Sequence, residues 1–124
     1  MSRVYYNKLI RDKIPEKIKG NGKQCSARAC ADDAEFQQEL LKKVAEEASA
    51  LAVVRSREAY LEEQADLLVV LDALNEALAV STSDIERAKE ANLQKKGAFE
   101  KRLFLVWSSD TGYKSNESAQ GIRE

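Results

Sequence analysis

Residues 32–79 read DDAEFQQELLKKVAEEASALAVVRSREAYLEEQADLLVVLDALNEALA, and the spacing within this stretch decides the fold. At about 100° per residue, Phe36, Leu40, Val44, Leu51 and Val54 fall within about 80° of one another, which is one apolar face of a helix. Asp32 and Glu35 have the spacing of a capping box, so a helix is expected from Asp32 to about Arg55. A second helix, rich in Leu, Ala and Glu, is expected from about Glu58 to Ala79. Its run Leu67-Leu68-Val69-Val70-Leu71 makes it apolar nearly all round, and such a helix is usually buried on more than one side.

Working outward, Ser81-Thr82-Ser83 interrupts the pattern. Ser83 and Glu86 repeat the capping-box spacing and start a third helix, which ends at Gly97. The run Arg102-Leu103-Phe104-Leu105-Val106-Trp107 suits a strand or a buried extended arm. Phe99, Phe104 and Trp107 are expected as core or interface anchors. From Ser108 onward almost nothing is apolar, so residues 108–124 read as a disordered tail. Residues 1–30 read as an irregular arm: Pro15 biases Ile14 away from the helical region, and Gly20 and Gly22 mark a loop. Residues 1–107 then form a single domain. The expected fold class is all-α: an antiparallel helical bundle completed by homo-oligomerisation, with an irregular N-terminal arm and a short C-terminal extended segment.

Composition narrows the function. The chain has 124 residues, of which 20 are Lys or Arg and 21 Asp or Glu, for a net charge of -1. There is no global basic field of the kind that nucleic-acid binding calls for. No apolar run approaches the length of a membrane span and the N-terminus lacks a signal-peptide core, so a cytoplasmic protein without a membrane partner is expected. The absence of histidine removes imidazole bases, histidine-dependent triads and histidine-ligated zinc. Cys25 and Cys30 are too few for a four-thiolate zinc site and read as ordinary reduced thiols.

The acids carry the remaining signal. Glu47 falls in the middle of the apolar stripe of the first long helix, whereas Glu46 lies on its polar side. On the second, Glu63 lies inside the stripe that contains Val70, Leu74 and Ala77, Asp66 lies at its edge, and Glu62 is peripheral. Carboxylates turned towards a partner helix repel one another and lose water. Either each finds a Lys or Arg, or a hard divalent cation gathers them. Magnesium usually bridges a few carboxylates to substrate phosphates, so phosphoryl or nucleotidyl chemistry is the natural class. No glycine-rich phosphate loop is present.

Four segments occur in order: Tyr6-Asn7-Lys8-Leu9-Ile10-Arg11-Asp12-Lys13-Ile14-Pro15, the Glu46-Glu47 pair, Glu63-Gln64-Ala65-Asp66, and Lys95-Lys96-Gly97-Ala98-Phe99-Glu100-Lys101-Arg102. Together they resemble the phosphoribosyl-ATP pyrophosphohydrolase-like branch of the MazG-type all-α nucleoside triphosphate pyrophosphohydrolases, over about residues 4 to 106. The resemblance implies Mg²⁺-dependent hydrolysis of a nucleotide between the α and β phosphates, and dimers or higher homo-oligomers. It implies metal-binding and catalytic roles for Glu47, Glu63 and Asp66. Two positions depart from the family pattern: Ala50 and Val69 stand where relatives carry acids.

Among the basic groups, Lys8 and Arg11 are expected to reach phosphate oxygens, or to pair with Asp12. Lys89, Asn92 and Lys96 share one face of the third helix within about 60° and are candidate contacts to the triphosphate or base. A member that binds nucleotide without turnover, or an oligomeric helical module with internally paired acids, is the alternative.

Overall fold

The computed structural model describes residues 2–117 and 121–123. Four helices follow in order: α1 (Ile14–Gly20), α2 (Asp33–Leu51), α3 (Arg57–Ala77) and α4 (Thr82–Lys96). Among the described residues there is no strand, so the architecture is all-α. The chain forms two compact units, Met1–Arg87 and Ala88–Glu124.

In the first unit, α2 packs against α3. Both helices begin where the sequence supplies an acceptor for their unpaired N–H groups. Asp32 accepts from the Glu35 amide at 2.8 Å, and Ser56 accepts from the Ala59 amide at 3.1 Å. The cap at Ser56 also explains why α2 stops at Leu51 rather than Arg55: residues 52–56 must reverse the chain before α3 can start. So short a connection makes the two helices antiparallel. Gln37 near the start of α2 accordingly donates to the Ala77 carbonyl at the end of α3.

The buried core consists of Leu40 from α2 and Val70 and Leu74 from α3, with Leu9, Val44, Ala73 and Ala77 packed around it. Leu40, Val44, Val70, Leu74 and Ala77 come from the apolar faces read in the sequence. Leu9 fastens the N-terminal segment to the helix pair.

That segment contains a helix where an irregular arm was expected. Pro15 lies in the first turn of α1, where a missing N–H costs nothing and the fixed φ suits a helix. The Gly22 amide donates to the Lys19 carbonyl, the Lys23 amide to that of Ile18, and Gly22 takes φ 73°. This is a Schellman end, and it needs the left-handed residue that glycine supplies.

The same end recurs on α3 without glycine. The Ala79 amide donates to Glu76, the Val80 amide to Asn75, and Ala79 takes φ 54°. The cap of the next helix then lies two residues before the expected one. Ser81 and Asp84 form a reciprocal box, with amide-to-side-chain bonds of 2.9 and 3.0 Å, in place of Ser83 and Glu86.

In the second unit, α4 ends at Gly97, which takes φ 78° and donates its amide to the Leu93 carbonyl. The expectation of a strand or buried arm over residues 102–107 is corrected: no strand partner meets this run, and its five apolar side chains are exposed. Residues 108–117 and 121–123 carry no helix or strand. The remaining tail positions, 118–120 and 124, lie outside the described residues, as does Met1.

Candidate functional site

Because α2 and α3 run antiparallel from a short turn, the last third of α2 faces the first half of α3. Glu47 therefore meets Glu63 and Asp66. One carboxylate oxygen from each lies within 4.8 Å of the others, and all three side chains are half-buried. The i, i+3 spacing puts Glu63 and Asp66 one turn apart on the same side of α3.

Three like charges so close call for cations. Lys43, one turn before Glu47, supplies the first: its Nζ lies 3.6 Å from Glu47 Oε1 and 3.0 Å from Glu46 Oε2. Its side chain is only 12% exposed, so its aliphatic stem lies against the helix pair while its ammonium group serves two acids. Arg11 supplies the second, with Nη1 3.6 Å from Asp66 Oδ1. Glu63 has no ion-pair partner among the described residues.

The N-terminal segment completes the surroundings. Lys8 donates to Glu46 Oε1 at 2.6 Å, and its Nζ lies 5.6 Å from the centre of the Tyr6 ring. That hydrogen bond raises the Lys8 pKa and lowers that of Glu46. Neither Lys8 nor Arg11 pairs with Asp12: Leu9 docks into the core between them and carries both cations to acids of the helix pair. In the sequence these cations are candidate phosphate ligands. In the structure they are partners of Glu46 and Asp66.

Lys43 was missed by reading the acids alone, although its spacing of three and four residues from Glu46 and Glu47 is a legible signal. Ala50, one turn after Glu47, is half-buried and brings no oxygen to the cluster. Val69, one turn after Asp66, is 39% exposed. In the second unit, Lys89, Asn92 and Lys96 are exposed on α4, as are Lys101 and Arg102 after it. A groove lined by Asp33, Phe36, Gln37, Ala73, Glu76 and Ala77 lies at the opposite end of the α2–α3 pair from the acids.

Chemically, the cluster offers hard oxygen donors from two helices, with one carboxylate that has no cation partner among the described residues. Such a donor set fits a hard divalent ion and is a poor match for a soft one. No known protein family, curated protein or solved structure matches this chain. Among the described residues, no helix is long and apolar enough to cross a membrane.

Proposed function

We propose that this chain is a Mg²⁺-dependent nucleotide pyrophosphohydrolase, cleaving a nucleoside triphosphate or related nucleotide between the α and β phosphates. The convergence of Glu47, Glu63 and Asp66 from two facing helices is the observation that carries this reading. The ordered sequence motifs supply the reaction type. Glu47, Glu63 and Asp66 would hold the cation, which would neutralise charge on the phosphates when bound. Their carboxylates also offer acceptors that can orient an attacking water. Lys8 pairs with Glu46, the neighbour of Glu47, and Arg11 with Asp66, and exchange of these partners for phosphate oxygens would bring substrate to the cluster. Lys89, Asn92 and Lys96 enter this reading from their shared helical face alone. A homodimer that completes the helical bundle is part of the same proposal.

A second reading has a specific observation behind it. Lys43 and Arg11 already neutralise two of the three acids, and Ala50 brings no fourth. On this second reading the chain binds a nucleotide without turning it over.

The deciding experiment is product analysis with Mg²⁺ and a panel of nucleoside triphosphates, separating pyrophosphate from orthophosphate. Pyrophosphate release that disappears in Glu63→Ala supports the enzyme. No product across the panel, together with nucleotide-dependent thermal stabilisation, supports the binding module.

A further inference from the structure

We infer that the acid cluster takes one divalent cation at a time, and that Arg11 is the resident group that yields its place to that ion. The inference rests on the metal-site reading above and deepens it. It fixes the number of ions and names the side chain that moves.

Charge decides the number. Among the described residues, four carboxylates (Glu46, Glu47, Glu63 and Asp66) are matched by three cations, Lys8, Lys43 and Arg11. One negative charge is left over. With Arg11 withdrawn two are left over, and a single divalent ion cancels both. A second such ion would make the cluster as positive as it had been negative, at a cost that grows in a half-buried site. Nor does the chain bring oxygen ligands for it: Ala50 and Val69 stand one turn beyond Glu47 and Asp66.

The three cations are not equally fixed. Lys43 belongs to α2, is 12% exposed, and serves two acids at 3.0 and 3.6 Å. Lys8 donates a 2.6 Å hydrogen bond to Glu46, which is outside the triad. Arg11 differs from both. Its Nη1 stands 3.6 Å from Asp66 Oδ1, beyond ordinary hydrogen-bond length, and the two side chains are 55% and 47% exposed. An exposed pair of this kind is weak, whereas a doubly charged ion held by three carboxylates is not. Asp66 is therefore the acid that changes partner.

The movement is confined to a side chain. The Arg11 carbonyl accepts from the Ile14 amide at 3.1 Å, at the start of α1, and Leu9 packs against the core two residues earlier. The backbone stays in place and the guanidinium swings on its own stem. By linkage, the Arg11–Asp66 pair weakens metal binding by the same factor as metal binding weakens the pair.

The test counts Mn²⁺ on the full chain by electron paramagnetic resonance, without nucleotide. The wild type is expected to bind one ion. Arg11→Gln is expected to bind one ion about 2- to 5-fold more tightly, as for removal of an exposed competing ion pair, and Arg11→Lys to return towards wild type. Lys13 is exposed in the same segment and has no ion-pair partner among the described residues, so Lys13→Gln reads the effect of charge alone. It is expected to change affinity less. In the wild type, the Arg11 side-chain Nε–Hε resonance is expected to shift on adding Mg²⁺, which an arginine with a merely structural role would not do. Circular dichroism confirms that each variant is helical.

Two ions per chain overturn the inference. So does an Arg11→Gln protein that binds Mn²⁺ no more tightly than wild type, or a Lys13→Gln protein with the same gain. Absence of binding in every variant overturns both the inference and the metal site on which it rests. One ion that displaces Arg11, without pyrophosphate release from any nucleotide, upholds the inference and defeats only the hydrolase reading.

Discussion

The Lys8 ammonium lies 2.6 Å from the Glu46 carboxylate, which ties the N-terminal segment to α2 immediately beside Glu47. Both side chains are more than a third exposed, so the pair has the strength of a surface ion pair, about 0.2–1 kcal/mol. The Glu46 pKa is lowered from 4.5, so its contribution is present above that value and fades as the pH falls through the folded value. The Lys8 pKa is raised from 10.5, so its share is complete below that value and is lost as the pH rises through the folded one. Glu46→Gln is therefore expected to lower Tm slightly at neutral pH, with the difference from wild type shrinking in acid. Calorimetry across pH reads this directly, and a difference that grows in acid would contradict it.

Glu35 titrates well below an ordinary carboxyl, at about 2 instead of 4.5, because Arg28 hydrogen-bonds to it and the Ala31 amide donates to it. Its stabilisation of the start of α2 is present above pH 4.5 and is lost as the pH falls towards 2. Carbon-detected NMR titration should place the Glu35 midpoint below those of the other glutamates. Arg28→Ala should move it back up.

Among the described residues, Glu63 is the one member of the triad without a cation partner. Mg²⁺ or Mn²⁺ is expected to raise Tm of the wild type, by an amount equivalent to about 2.7 kcal/mol at a hundred times Kd. Glu63→Gln should abolish that shift while leaving the metal-free protein at least as stable, since a repulsive charge is removed. Indifference of the wild type to both ions would mean that Lys43 and Arg11 are the cations the acids require.

Ala50 lies one turn beyond Glu47 and is half-buried, so Ala50→Glu adds a fourth carboxylate beside the cluster. The expected outcome is lower stability without metal, from the added like charge, and a larger metal-dependent rise in Tm. If the wild type hydrolyses nucleotides slowly, the rate of pyrophosphate release should rise as well. An Ala50→Glu protein with an unchanged metal response would show that this position does not face the ion.

Ala79 ends α3 with a φ of 54°, a conformation that costs an L-residue roughly 1–2 kcal/mol and glycine little. Glycine also loses more freedom on folding, which offsets part of that gain. Ala79→Gly is expected to stabilise the protein by about 1 kcal/mol, read as a rise in urea midpoint without a change in slope. A loss of stability would mean that the methyl group contributes more to packing than the left-handed backbone costs.

What the sequence determined by itself was local and periodic. Leu40, Val70 and Leu74 lie in the stripes that a helical period assigns them, and Asp32 caps α2 through the spacing that announces it. Those features depend on residues within a few turns of one another. For the same reason, the anomaly of Glu47, Glu63 and Asp66 on apolar faces was legible before any coordinates.

Only the tertiary structure decided what surrounds them. Lys8 finds Glu46, 38 positions further along the chain, and Arg11 finds Asp66, because Leu9 packs against the core of α2 and α3. Helical spacing carries no record of such a contact. Pro15 biases Ile14 away from the helical region, but the cost of a proline depends on whether a helix has already begun or is only beginning there, and α1 begins there. The fate of residues 102–107 was illegible for a related reason. Apolar, β-favouring residues state that a segment needs cover, whereas the chain's topology decides whether its own core supplies it, and here those side chains stand in water.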